Sequence, residues 1–182
     1  RLLTAGVRGL PHYAPLRDFS TFALRPRRAA PDPAIREAGD ADVPELAEFL
    51  ARALAQRNAA PVWSVDALRS AAGLRQLVLR EGGAITGCIA LWDQRASRQA
   101  VLMDCPRTLA ALRAPLNLAF AAARLPAIPA RGERIEQAFL SLAATRDDCP
   151  ERFVRLVRAG LAEAHRLGLA AAMIGVPSDH PW

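Results

Sequence analysis

The stretch from Ile135 to Val176 constrains the fold more than any other part of this sequence. Residues 135–145 (IEQAFLSLAAT) and residues 169–176 (LAAAMIGV) are both apolar enough to form buried strands. Between them, from Phe153 onward, apolar residues recur at i+3, i+4, i+7, i+8 and i+11, with arginines on the opposite face. A strand, an amphipathic helix and a second strand predict a βαβ unit, whose two strands lie parallel.

Both ends of the predicted helix carry terminus signals. Asp148 and Glu151 have the spacing of an N-cap residue and its capping-box partner, and Pro150 stands in the first turn. Gly168 follows the last turn, as a C′ residue does. Because ligands of βαβ units bind beyond the first strand, at the helix N-terminus, we expect any site near residues 144–152.

The segments before this unit predict antiparallel strands and further helices. In chain order they are a strand at 34–37, a helix capped by Asp42, a short helix capped by Ser64, strands at 75–81, 83–92 and 98–105, and a helix at 107–124 interrupted by Pro115. Gly82-Gly83 is a hairpin turn, and Gly87 marks a bulge. The predicted fold class is α+β (mixed α/β), with antiparallel strands followed by a βαβ unit and helices on both faces.

Two segments are expected along the chain. Residues 1–33 are rich in Gly and Pro and predict an extended arm, or the end of a preceding domain, with a short strand at Thr21–Leu24. Residues 34–182 form the main domain, which we expect to be incomplete at its C-terminus. Since the first residue is Arg1 rather than Met, we interpret the sequence as a piece of a longer polypeptide.

Composition excludes several classes of protein. Apolar residues make up 52% of the chain, charged residues 23%, and no run approaches the length of a membrane span, so a globular domain without a membrane is predicted. The net charge is +6, but the arginines are dispersed and lack interleaved aromatics, so a nucleic-acid partner is not favoured. The three cysteines match neither a disulfide framework nor a zinc pattern, which predicts a cytoplasmic protein without a metal.

Three stretches together resemble the GNAT superfamily of N-acetyltransferases. Residues 34–50 (AIREAGDADVPELAEFL) are similar to its first strand and helix, and residues 79–94 (LREGGAITGCIALWDQ) to its central hairpin. The βαβ unit stands where the acyl-CoA motif of the family stands. More narrowly, ALWDQ and residues 113–117 (RAPLN) resemble bacterial proteins with two GNAT-like domains in tandem, which implies a second such domain in the same polypeptide.

The resemblance implies acetyl transfer from acetyl-CoA to the primary amine of a small molecule or peptide, by direct attack. It implies that the backbone of Leu142, Ala143 and Ala144 pairs with the pantetheine, and that Thr145, Arg146 and Arg152 lie at the pyrophosphate. The turn departs from the Gln/Arg-x-x-Gly-x-Gly/Ala pattern of the family: it has two aspartates, a proline and no glycine. The alternative is a domain that keeps the fold without binding CoA and serves a structural or substrate-recognition role beside a catalytic domain.

Candidate catalytic residues follow from the ends of the predicted strands. In some GNAT proteins a strand carboxylate acts through water as base to the amine, and the resemblance assigns that role to Asp104, Glu136 or Asp93. His180, in the loop after the last strand, is a further candidate. Trp92 and Asp93 are predicted to form a wall of the substrate pocket, although a tryptophan half-buried at the sheet rim explains the same pattern.

Overall fold

The computed structural model describes residues 18–55, 60–123, 125, 127–178 and 180–182. The first half of the predicted arm, residues 1–17, lies outside them. The elements in chain order are β1 (Phe19–Leu24), β2 (Ile35–Glu37), α1 (Val43–Leu54), α2 (Val65–Ser70), β3 (Leu74–Glu81), β4 (Ala84–Trp92), α3 (Arg107–Ala122), β5 (Gln137–Thr145), a 3₁₀ turn (Arg146–Asp148), α4 (Pro150–Arg166) and β6 (Ala171–Pro177). None of the helices in these ranges is long and apolar enough to cross a membrane.

All these strands belong to one six-stranded sheet, in the order β1-β6-β5-β4-β3-β2. Neighbouring strands are antiparallel, except for β5 and β6, which are parallel and are joined by α4. The predicted βαβ unit is therefore confirmed, and so is the mixed α+β class. Because β5 lies in the interior of the sheet, its two edges face β4 and β6.

Helices cover both faces of the sheet, as predicted, and each face has its own core. Under α4, the largest buried side chains include Leu79, Ile89, Leu91 and Leu156. Under α1 and α2, the core comprises Val43, Leu46, Phe49, Leu50, Leu68, Val78, Ile85, Cys88 and Ala144. A fully buried leucine contributes about 1.5–3 kcal/mol relative to an exposed one, so these cores account for much of the stabilisation of the sheet.

One glycine sets how closely α4 approaches the sheet. A Cβ atom at Gly160 would lie 2.6 Å from Cδ2 of Leu140 on β5. Since real carbon atoms do not approach so closely, any larger residue here would push α4 away from the sheet or displace Leu140. The absence of a side chain at Gly160 therefore lets the backbone of α4 pack directly against Leu140.

The N-terminal strand extends the sheet beyond β6. β1 pairs antiparallel with β6 from Phe19↔Pro177 to Leu24↔Ala172. After β1 the chain crosses to α4, where Asp32 accepts a hydrogen bond from Nε of Arg155 at 2.8 Å. The described part of residues 18–33 thus packs on the domain formed by the rest of the chain.

The strand predicted at residues 98–105 is wrong. In the described part of the chain, Val101 forms only an isolated bridge with Arg134. The edge of β4 that a third hairpin strand would need is occupied by β5, since Leu91 pairs with Leu140 and Trp92 with Phe139. The segment therefore becomes a loop that leads to α3.

Pro115 does not split α3, which runs continuously from Arg107 to Ala122. Pro115 and Ala111, whose carbonyl loses its helical partner, are both exposed. Water can satisfy that carbonyl, so the helix tolerates the proline.

The predicted helix caps are only partly correct. Asp42 occupies the N-cap of α1, but its carboxylate makes no capping bond to the helix and instead binds Arg36 at 2.6 Å. The N-cap of α4 is Cys149 rather than the predicted Asp148, whose backbone is left-handed. Gly168 is confirmed as the residue after α4, with a φ of 70°.

Candidate functional site

β5 and β6 separate halfway along their length. Their parallel pairing ends at Leu140↔Ile174, although β5 continues to Thr145 and β6 to Pro177. Beyond that point β5 stays paired with β4, and β6 stays paired with β1. From Ser141 onward, the β5 edge facing β6 therefore has no strand partner among the described residues.

A β-bulge lies where the two strands separate. The register of β5 against β4 shifts so that Leu142 and Ala143 together stand opposite Ile89. Leu142 has a φ of 50°, and a non-glycine residue in this region stores about 1–3 kcal/mol of strain. Its carbonyl accepts a hydrogen bond from Sγ of Cys88 at 3.1 Å. Leu142, Ala143 and Ala144 thus form the β5 side of the opening, and the side chain of Ala144 is buried.

The turn after β5 has a left-handed backbone at two consecutive aspartates. Asp147 has a φ of 59° and Asp148 a φ of 49°. Among L-residues, aspartate and asparagine tolerate this region best. The turn therefore adopts, without glycine, a backbone conformation for which glycine is the usual residue.

Acidic groups outnumber the available cations at this turn. The two aspartates and Glu151 lie within the turn or the first turn of α4, whereas Arg152 binds Glu81 of β3, with Nε 2.9 Å from Oε2. The Arg152 guanidinium holds the pKa of Glu81 below its ordinary value, although burial opposes the shift. Arg146 is exposed and forms no ion pair in the described part of the chain. Arg146 is thus the cation of this turn that is available to an anion.

The first N–H groups of α4 are only partly available. Pro150, the first residue of the helix, has no N–H to offer. The carboxylate of Glu151 accepts a hydrogen bond from Sγ of Cys149 at 3.1 Å and another from its own backbone N–H, and both lower the pKa of Glu151. A phosphate at this helix end would compete with that carboxylate for the Glu151 N–H.

Residues 180–182 lie over the same turn. The indole of Trp182 stacks on Phe153 with ring centroids 4.3 Å apart, and its Nε1 donates a hydrogen bond to the carbonyl of Asp148 at 3.1 Å. His180, a predicted catalytic residue, has its Nε2 3.5 Å from Oδ1 of Asp148, and its side chain is 7% exposed. The structure therefore places His180 beside the turn at the N-terminus of α4.

The predicted pocket residues lie at the opposite end of β5. Trp92 pairs with Phe139 and is 40% exposed. Arg95 binds Asp93 at 2.7 Å and Glu136 at 3.0 Å, so two predicted residues share one guanidinium. This contact lowers the pKa of Asp93 against the opposing effect of burial. The sequence-predicted site residues thus fall into separate groups at the two ends of β5.

Asp104 belongs to neither group. It is exposed in the loop before α3, where its Oδ1 accepts a hydrogen bond from the backbone N–H of Cys105 at 2.9 Å. The prediction of a catalytic Asp104 rests on a strand that ends at this residue, and that strand does not form.

Two buried polar atoms at this site were missed by the sequence reasoning. Oγ of Ser141, where the strands separate, and Nε1 of Trp63, in the loop before α2, are buried without a hydrogen-bond partner in the described part of the chain. Trp63 packs on the same core as Leu142. Leaving a buried polar group unpaired costs about 1–3 kcal/mol of folding free energy. Both atoms are therefore candidates for contact with a ligand. Neither residue has a sequence signal, since Ser141 lies inside an apolar strand and Trp63 in an irregular stretch.

Comparisons with known proteins found similarity among solved structures. No family model and no curated protein matches the sequence. A structure assigned to the GNAT family of acetyltransferases, from Novosphingobium aromaticivorans, shares 16% identity over 88% of this chain with a TM-score of 0.47. The chain spans 56% of the length of that protein.

Two further structures are similar at a slightly higher score. A protein from Clostridium acetobutylicum, assigned as an acetyltransferase and solved with acetyl-CoA, matches 81% of this chain and 82% of its own at 11% identity and a TM-score of 0.50. N-myristoyltransferase of Saccharomyces cerevisiae, solved with bound myristoyl-CoA, matches 84% of this chain and 34% of its own at 9% identity and a TM-score of 0.51. At these identities the likeness establishes the fold.

Proposed function

From the premise that this chain has the GNAT fold, we propose that it is an acyl-CoA-dependent N-acyltransferase domain. The observation that carries the proposal is the separation of β5 from β6 after Leu140, together with the bulge at Leu142. This leaves a strand edge to which the amide groups of a pantetheine arm can bind as a further strand would. The Clostridium acetobutylicum and Saccharomyces cerevisiae proteins were each solved with an acyl-CoA, which supports acetyl-CoA or a related thioester as the donor.

The proposed reaction is direct transfer of the acyl group to a primary amine. The amine nitrogen attacks the thioester carbonyl carbon, the new C–N bond forms, the C–S bond breaks, and the CoA thiolate leaves and takes up a proton. N–H groups on the open edge of β5 near Ser141 would stabilise the oxyanion. Direct attack by the amine requires no covalent role for Cys149, whose Sγ donates a hydrogen bond to Glu151 at the turn.

We propose that Glu136 accepts, through a chain of waters, the proton that the substrate ammonium gives up to become the attacking amine. Asp93 is less suited, because both of its oxygens bind the Arg95 guanidinium, whereas Glu136 uses only Oε2. Glu136 is also 45% exposed, so water can reach it. The change Glu136→Gln should lower kcat by about 100-fold with little effect on thermal stability. Unchanged turnover would remove Glu136 from this role.

Calorimetric titration with acetyl-CoA and with CoA at low salt tests the proposal. We expect binding that weakens by about fivefold in Arg146→Ala, because that exposed cation is available to the pyrophosphate. Arg69→Ala is the matched control, since Arg69 is exposed on α2 and forms no ion pair among the described residues. Absence of binding by the folded protein, or an equal loss in both variants, would contradict the proposal.

A second candidate function has its own supporting observation. The turn at the N-terminus of α4 combines three carboxylates with Pro150, and Trp182 covers the carbonyl of Asp148. These features oppose an anion. In this alternative the domain keeps the fold without binding CoA and serves recognition beside a catalytic GNAT-like domain in the same polypeptide. The same titration decides between the two, because the second candidate requires that a well-folded protein binds neither CoA nor acetyl-CoA.

A further inference from the structure

A small cavity lies at the amino end of β5, on the loop that follows β4. Its volume is about 250 Å³, below the roughly 300–1,000 Å³ of pockets that take drug-sized ligands. Gln94, Arg98, Arg134, Glu136 and Phe139 are among the residues that line it. The cavity therefore suits a small polar metabolite rather than a peptide.

A buried acceptor in this lining has no partner. Oε1 of Gln94 is buried and receives no hydrogen bond in the described part of the chain. The backbone of Gln94 is held in place, because its carbonyl accepts hydrogen bonds from the N–H groups of Ser97 at 2.9 Å and Arg98 at 2.7 Å. A ligand with an N–H or O–H group would satisfy this oxygen and relieve its desolvation penalty.

The charges around the cavity favour a ligand that carries both a negatively and a positively charged group. The Arg95 guanidinium is already shared by Asp93 and Glu136, whereas Arg98 and Arg134 form no ion pair among the described residues. Two unpaired guanidiniums favour a carboxylate, which they bind with paired hydrogen bonds. On the other side, Glu136 leaves Oε1 without a hydrogen bond in the described structure, and this oxygen suits an ammonium group.

We infer that the cavity binds a free α-amino acid, with its carboxylate between Arg98 and Arg134 and its ammonium group at Glu136 and Gln94. This rests on the proposed function and names the acceptor class for it. Phe139 lines the cavity, and Ser141 lies on the same face of β5 two residues further along, because alternate side chains of a strand share a face. On β5 the lining of the cavity extends as far as Phe139, two residues before the point where the thioester carbonyl is proposed to lie.

Every proton and bond in the transfer to the amino acid is accounted for by these groups and the thioester. The bound ammonium gives one proton to Glu136 through water and becomes the amine that attacks the thioester. After the C–N bond forms and the C–S bond breaks, the nitrogen gives a second proton to the CoA thiolate. The products are the N-acyl amino acid and CoA.

Titration of the protein with each of the twenty common L-amino acids, without acyl-CoA, tests this inference. For the tightest binder we expect its deaminated acid and its decarboxylated amine to bind at least about tenfold more weakly, since each lacks one of the two charges. Arg98→Ala and Arg134→Ala should each weaken binding by about tenfold or more. Gln94→Leu should weaken binding of the amino acid, while Arg69→Ala should leave it unchanged.

Two results would overturn the inference. One is binding of the deaminated acid as tight as that of the amino acid, which would identify a simple anion site. The other is the absence of any amino-acid binding at millimolar concentration by protein whose melting curve is normal. Because acyl-CoA is left out of this titration, its failure is distinct from failure of acyl-CoA binding itself.

Discussion

Replacing Asp147 by asparagine is expected to strengthen the binding of CoA. Asp147 is exposed in the turn before α4, with a φ of 59°. Asparagine tolerates this left-handed backbone as well as aspartate does. Asp147→Asn therefore removes one negative charge from the proposed pyrophosphate site and leaves the shape of the turn unchanged.

The magnitude follows from the charge and the exposure of Asp147. Two unit charges 4 Å apart interact by about 4 kcal/mol at an effective dielectric of 20 and by about 1 kcal/mol in bulk water. Because Asp147 is exposed, the lower value applies. A repulsion of about 1 kcal/mol corresponds to about a fivefold change in Kd, so the variant should bind CoA about five times more tightly.

Calorimetric titration with CoA in low salt and in 1 M salt measures this effect. The gain should be largest at low ionic strength and should nearly vanish at 1 M, where charges are screened beyond about 3 Å. Asp66→Asn is the matched control, because Asp66 is an exposed aspartate on α2. Equal affinity in wild type and Asp147→Asn, or an equal gain in Asp66→Asn, would refute the electrostatic reasoning.

Three further predictions concern stability and charge. Arg36, the backbone N–H of Gly39 and Arg80 together lower the pKa of Asp42 to about 2 from 3.8, so Asp42→Asn should lose about 1–2 kcal/mol of unfolding free energy at pH 7, and most of the difference should be lost as the pH falls from about 4 to about 2. Gly160→Val should lower the unfolding free energy by about 1–3 kcal/mol in denaturant titration, because α4 lies so close to β5. Arg95→Gln should raise the pKa of Asp93, measured by carbon NMR titration, because the guanidinium that lowers it is removed.

Each of these predictions has a contrary outcome. A stability difference for Asp42→Asn that is the same at pH 2 and pH 7 would mean that the ion pairs of Asp42 do not stabilise the fold. Ala159→Val is the control for Gly160→Val, because Ala159 is partly buried on the same helix. Unchanged stability of Gly160→Val would mean that α4 shifts without a loss of unfolding free energy. If the pKa of Asp93 stays low in Arg95→Gln, neighbours other than Arg95 cause the shift.

The local signals of the βαβ unit were sufficient to predict it. The apolar run of β5, the periodicity of α4 and Gly168 after its last turn are properties of neighbouring residues, and each is confirmed. The absence of glycine from the turn was also visible in the sequence. The sequence did not show that Asp147 and Asp148 adopt a left-handed backbone instead. That conformation depends on how the turn joins β5 to α4.

Two of the errors, at residues 98–105 and at Asp42, arise because another segment competes for the same partner. Residues 98–105 have the composition of a strand, but β5 occupies the edge of β4 that they would need. Asp42 has the spacing of a capping residue, but its carboxylate binds Arg36 and Arg80 and makes no hydrogen bond to the helix N–H groups. Arg36 lies 6 residues before Asp42, whereas Arg80 on β3 lies 38 residues after it, so the local pattern around α1 does not show the second contact.

Sequence alone determined the fold class of this protein, its βαβ unit and the two helix-covered faces of its sheet. Tertiary structure decided the candidate site itself. The opening after Leu140 exists because β5 stays with β4 while β6 stays with β1, and the cavity at Gln94 exists because a loop folds against the start of β5. Periodicity reports which face of an element is apolar, whereas the separation of two strands depends on what pairs with each of them from elsewhere in the chain.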